Sequence, residues 1–98
     1  MYLKVMDVDG RNIVAVCDRE LLGQKVEEGE SILDLELNRH FYEGKVCRKD
    51  AVLSAITMAD SVNLVGERAV GAGIEAGLVS EGSVAKIGGI PHAQSYRL

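Results

Sequence analysis

The chain has 98 residues, 47% of them hydrophobic and 27% charged, with a formal net charge of −4. That balance excludes wholesale disorder, and the length allows one modest core but not two. No apolar run approaches the roughly 20 residues that cross a bilayer, so no membrane contact is expected.

The charge is uneven. Residues 1–44 carry five basic and ten acidic side chains, whereas residues 45–98 carry six and five. Neither half offers the dense basic face on which binding by counterion release depends. Met1-Tyr2-Leu3-Lys4-Val5 runs straight into a strand-like pattern without a signal-peptide layout, so a cytoplasmic protein with reduced thiols is expected.

Tyr2–Val8 and Arg11–Cys17 flank Asp9-Gly10, and such a pair between β-branched runs predicts a hairpin over residues 2–17. Asp18 then stands as an N-cap for a short turn, Arg19–Leu22, with Gly23 as its stop. Lys25–Glu30 is acidic and is expected to be solvated. From Leu33 onward the pattern alternates, which predicts a strand with Leu33, Leu35 and Leu37 on one face. Asn38-Arg39-His40 predicts a turn. Phe41-Tyr42 reads as a wedge closing the core, or as a platform for a base or ligand ring.

From Arg48 the period changes to that of a helix, with Val52, Ala55, Ile56 and Ala59 on one face. Asp60-Ser61 interrupts it, and Ser61–Val70 predicts a second helical stretch running to about Gly77. Ala69, Gly73 and Gly77 recur at intervals of four, a spacing that lets another backbone approach closely. Gly66, Gly71 and Gly73 would each cost about 1 kcal/mol in a helix interior, which points to close packing or a ligand at those positions. Ser83–Ile87 predicts a strand. Ile87–Gln94 predicts a rigid loop, because Gly88-Gly89 permits unusual backbone angles and Pro91 fixes the chain before His92. Residues 93–98 predict an edge strand with Ala93, Tyr96 and Leu98 as its apolar positions. The expected fold is α+β: a single compact domain whose small, mostly antiparallel sheet packs on two helices.

The candidate site combines two segments. One supplies Asn63, Glu67 and Arg68, with Asn63 read as one helical turn before Glu67. The other supplies Gly88, Gly89, Pro91, His92 and Gln94. A rigidly held imidazole could act as a general base or meet a phosphate, and the glycine amides could form an anion nest. Glu67 is the best partner for His92. Cys17 beside Asp18 at a helix mouth suggests either an activated thiolate or, more simply, a core thiol beside a capping carboxylate. Cys17, His40, Cys47 and His92 lack short metal-ligand spacing, and no hydrolase, phosphate-loop or dinucleotide motif occurs, so no metal or cofactor is implied.

Leu3-Lys4-Val5, Val16-Cys17-Asp18, Leu22-Gly23, Phe41-Tyr42-Glu43-Gly44, Asn63–Glu67 and Ile87–Gln94 together resemble a small archaeal family. It is the uncharacterised domain of unknown function numbered four hundred and twenty-four. The resemblance spans nearly the whole chain. It implies an archaeal cytosolic protein loosely associated with translation genes, and it brings no established activity or catalytic residues.

The leading expectation is a non-enzymatic binding or adaptor domain linked to archaeal translation or RNA metabolism. Its partner would be the ribosome, a translation factor or RNA. The alternative is a small enzyme acting on a phosphorylated or nucleotide ligand through His92 with Glu67. A third reading is a homodimer whose interface is the Gly/Ala helix face.

Overall fold

The computed structural model describes residues 1–97. The N-terminal hairpin forms as expected: β1 (Tyr2–Val8) pairs with β2 (Arg11–Cys17), with Val8 opposite Arg11. Asp9 and Gly10 both take positive φ, 54° and 79°, the primed turn that matches the twist of the strands. A 3-10 turn at Arg19–Leu21 leads into a two-stranded ribbon, β3 (Lys25–Glu28) and β4 (Ser31–Asp34). There follow a one-turn helix α1 (Arg39–Tyr42), a short strand β5 (Lys45–Val46) and the helix α2 (Lys49–Thr57). The chain ends with β6 (Ser61–Val65), α3 (Glu67–Glu75), β7 (Ala85–Ile87) and β8 (Ile90–Tyr96).

Six strands make one sheet in the order β5-β1-β2-β6-β8-β7, and the β3–β4 ribbon stands apart from it. Among the described residues only the β2–β6 pair is parallel. The fold is α+β, as the sequence predicted.

Side chains alternate across the sheet and feed two cores. On one face Val14, Val16, Val62, Leu64 and Ala93 meet Val52 and Ile56 of α2 and Ala69, Val70 and Ala72 of α3. On the other face Ala15, Cys17 and Val65 meet Leu33, Leu35 and Tyr42. The central strands β2 and β6 are therefore covered on both sides. Close packing on the helical side depends on Gly73, where an added Cβ would run into Leu64 and lie 3.3 Å from Val79. Ala69, Ala72 and Gly73 are thus turned inward and covered by their own chain, whereas Gly77 at the end of that small-residue face is exposed.

Four expectations change. Ser61–Val65 is a central strand, not the start of a helix: β2 on one side, β8 on the other and a core on each face bury every residue of it except half-buried Asn63. Such doubly buried strands read as apolar runs without clear period. The alternation of Leu33, Leu35 and Leu37 ends early, because the Asp34 carboxylate accepts N–H bonds from Glu36 at 3.1 Å and Leu37 at 2.8 Å. That local turn stops the strand and leaves Leu37 79% exposed. Lys25–Glu30 is solvated as expected apart from half-buried Val26, its first four residues forming a strand of the ribbon. The Ile87–Gln94 loop is instead a tight hairpin, with Ile87 opposite Ile90 and Gly88-Gly89 as its two-residue turn. The strand it begins, β8, is interior, between β6 and β7, rather than an edge; Leu98, named with that strand, lies outside the described residues.

Candidate functional site

Asp18 sits at the C-terminal end of β2, where its backbone N–H donates to the Val65 carbonyl at 2.9 Å. The side chain is only 2% exposed. It does not cap the adjacent Arg19–Leu21 turn. Its two oxygens accept the Arg68 N–H at 3.0 Å and the Ala69 N–H at 2.8 Å, so it caps α3 from fifty residues away. Those are the free donors of a helix N-terminus, where a negative charge is favoured.

Gly66 makes this possible. Its φ is 105°, and a Cβ there would collide with the Asp18 carboxyl. A cavity of about 240 Å³ lies over this clamp, lined by Glu20, Glu67, Arg68, Gly89, Ile90 and Pro91 among others. Arg68 approaches Glu20 at 3.8 Å across its exposed rim. Pro91 is buried, and its carbonyl accepts the Gly66 N–H at 2.9 Å. Glu67, Arg68, Gly89 and Pro91 therefore do converge.

His92 and Gln94 do not join them. His92 pairs with Val65 and Gln94 with Asn63, which puts both side chains on the ribbon side of the sheet, away from the helices. Glu67, on α3, borders the cavities that Pro91 lines, whereas His92 lines a different one. The sheet separates the imidazole from the carboxylate proposed to partner it. Asn63, being in a strand, is likewise not on the Glu67 face. The reason is period: residues 63 and 67 share a face only if both lie in one helix.

On the ribbon side, Gln94 Nε2 donates to Asn63 Oδ1 at 2.8 Å, and the Tyr96 hydroxyl donates to Gln94 Oε1 at 3.1 Å. These three neutral groups form an exposed ladder ending in a Tyr96 ring that is 64% exposed. Beside it, His92 and Gln94 enter a cavity of about 330 Å³, closed by the β4–α1 segment with Leu33, Asp34, Phe41 and Tyr42. Burial lowers the His92 pKa below its ordinary value, so the imidazole is neutral at pH 7. Phe41 and Tyr42 meet edge to face with centroids 5.0 Å apart, and Tyr42 closes the second core. The sequence singled out neither Asp34 nor Asn38; the alternating leucines around them masked a wall of this cavity.

The anion nest expected at the glycine pair is also occupied from within. Gly88 packs under Val26, and its N–H donates to the Glu28 carboxylate at 3.3 Å. The Cys17 thiol is fully buried and donates to the Asp18 carbonyl at 3.3 Å. Burial first, then the Asp18 and Glu20 charges, push its pKa up to about 12, which makes it a protonated core thiol and not an activated nucleophile.

The architecture is that of an α+β domain with a mixed central sheet, one helical face and one face half covered by a ribbon. The chain belongs to the DUF424 family of proteins of unknown function, whose profile matches residues 6–98. It is similar to the crystal structure of an uncharacterized conserved protein from Methanopyrus kandleri, with a TM-score of 0.84 and 29% sequence identity. The match covers 99% of this chain and 90% of that one. No curated protein matches it.

Proposed function

We propose that this chain is a non-enzymatic binding domain of archaeal translation or RNA metabolism. The observation that carries the reading is the Asn63–Gln94–Tyr96 ladder, a row of neutral groups held in place by one another on an open sheet face. Amides and an exposed aromatic ring recognise by hydrogen bonding and stacking. They supply no acid, base or nucleophile. The enzymatic alternative needs His92 and Glu67 in one pocket, and they line different ones.

The likeness to a Methanopyrus kandleri protein supports an archaeal setting, and the acidic composition supports contacts that read shape and base edges over phosphate charge. Glu67, Arg68, Gly89 and Pro91 would form the rim on the far side of the β7–β8 hairpin, with Gly88 held against the ribbon. The test is co-sedimentation of the full chain with ribosomes and with RNA, comparing the parent with a His92→Ala, Gln94→Ala double variant. Association in the parent and its loss in the variant support the reading. Unchanged association, or none in the parent, refutes it.

A further inference from the structure

The cavity on the ribbon side has more unsatisfied hydrogen-bonding capacity than a packing defect would. Tyr42 is only 7% exposed, yet its hydroxyl makes no hydrogen bond among the described residues. Among the described residues the one side-chain polar atom sealed from solvent without a partner is Asn12 Oδ1, so the Tyr42 hydroxyl keeps access to solvent, and this cavity is the opening Tyr42 lines. His92 lines the same space and also lacks a protein partner among the described residues. A solvent-reached donor without a protein partner at the wall of a cavity is free to bond whatever enters, water or ligand.

The walls define the occupant. Leu33 and Phe41 provide apolar surface, and about 330 Å³ lies at the lower end of the roughly 300–1,000 Å³ typical of small-molecule pockets. One ring system fits; an intact dinucleotide does not. No cation lines the cavity and one carboxylate, Asp34, does, which disfavours an anion. Asp34 Oδ1 is taken by the Glu36 and Leu37 amides, which leaves Oδ2 to accept, while the Asn38 amide nitrogen donates to the Asp34 carbonyl and leaves its own oxygen free. Donors and acceptors of both kinds therefore surround an apolar slot beside an edge-to-face aromatic pair.

We infer that this cavity binds one uncharged nucleobase, seated against Phe41 and hydrogen-bonded by Tyr42, His92 and the Asp34–Asn38 turn. The inference rests on the recognition reading only for the source of the base, which could be a free nucleoside or a base turned out of an RNA strand.

The experiment is an NMR titration of the full labelled chain with adenosine, guanosine and uridine separately, to about 5 mM, enough to detect millimolar binding. A short single-stranded RNA and inorganic phosphate are titrated in parallel. Saturable shifts confined to residues 31–42 and 90–94 are expected from at least one nucleoside and from RNA carrying that base. Tighter binding of the strand assigns the base to RNA; equal binding assigns it to a free nucleoside.

Tyr42→Phe removes only the unpartnered hydroxyl, so it should fold as the parent does and weaken binding by about three- to tenfold. His92→Leu is the second variant, with a comparable loss. No saturable shift from any base, the same shifts from phosphate, or unchanged affinity in both variants overturns the inference. Nucleoside binding with no ribosome or RNA association would leave this site standing and remove the translation reading. Association without nucleoside binding would do the reverse.

Discussion

Removing the Asp18 carboxylate should destabilise the fold far more than an ordinary polar substitution. Asp18→Ala deletes two charge-assisted bonds, to the Arg68 and Ala69 amides, and leaves the Ala69 donor buried. Net hydrogen bonds to charged groups contribute about 1.5–3 kcal/mol, and a carboxylate at a helix N-terminus about 0.3–1 kcal/mol. These terms overlap because the same contacts carry both, so the expected loss is about 2–4 kcal/mol. For a domain of this size that lowers the melting temperature by roughly 10–25 °C. Asp18→Asn keeps an acceptor for one amide and should lose about half as much. Gly66→Ala should cost at least as much as Asp18→Ala, because its Cβ displaces the same carboxyl and its φ of 105° is strained for any residue with a side chain. Sulfate should stabilise Asp18→Ala by more than it stabilises the parent, since the vacated N–H groups then donate to an external anion on top of its general salt effect. Urea unfolding with and without sulfate measures all of this. An Asp18→Ala midpoint equivalent to within about 0.5 kcal/mol of the parent would refute the clamp.

Other consequences follow from burial and packing. At pH 8 a thiol reagent should label half-buried Cys47 and spare Cys17 until the chain unfolds; equal labelling would contradict the core-thiol assignment. Because the Cys17 pKa rises from 9.0 to about 12 on folding, its contribution is complete below pH 9 and is lost as pH climbs towards 12, which Cys17→Ala should blunt in alkaline denaturation. His92 shifts the other way. Its folded pKa lies below 6.5, so the unfolded chain takes up the proton first and stability falls as pH drops below 6.5; denaturation of His92→Gln across pH 5–7.5 should show a flatter profile. Gly73→Ala should cost about 1–3 kcal/mol, since fully buried Leu64 has nowhere to retreat, and an unchanged unfolding midpoint would show that α3 is free to shift.

What the sequence disclosed was local. The Asp9-Gly10 hairpin and the α2 face with Val52 and Ile56 were legible because their signals lie within a few residues of their effects. The family resemblance was legible as well. What it hid was tertiary. Asp18 reads as a cap, and it is one, but of a helix fifty residues later, a partner that no local pattern can name. Gly66 reads as a costly helix interior position, whereas it is the joint between β6 and α3 that lets the carboxylate in. Ser61–Val65 carries apolar residues at 62, 64 and 65, a spacing that suits a buried strand as well as a helix, and only pairing with β2 decides between them. That one misassigned element moved Asn63 to the wrong face and created the apparent link to Glu67.

The same tertiary contacts narrow the chemistry. Two places in the candidate site present backbone N–H groups of the kind that hold phosphate: the α3 N-terminus and the Gly88 turn. Each is already answered by a carboxylate of the chain itself, Asp18 in the first case and Glu28 in the second. A phosphorylated ligand would have to displace a bonded carboxylate at either one, and at the first a buried one. The ribbon-side cavity groups left without protein partners among the described residues, Tyr42 and His92, are neutral, and they open on the other face of the sheet. At those two joints charge is thus spent on holding the chain together, and the ribbon-side cavity is left to recognise with hydroxyl, imidazole, amide, ring and the free oxygen of Asp34.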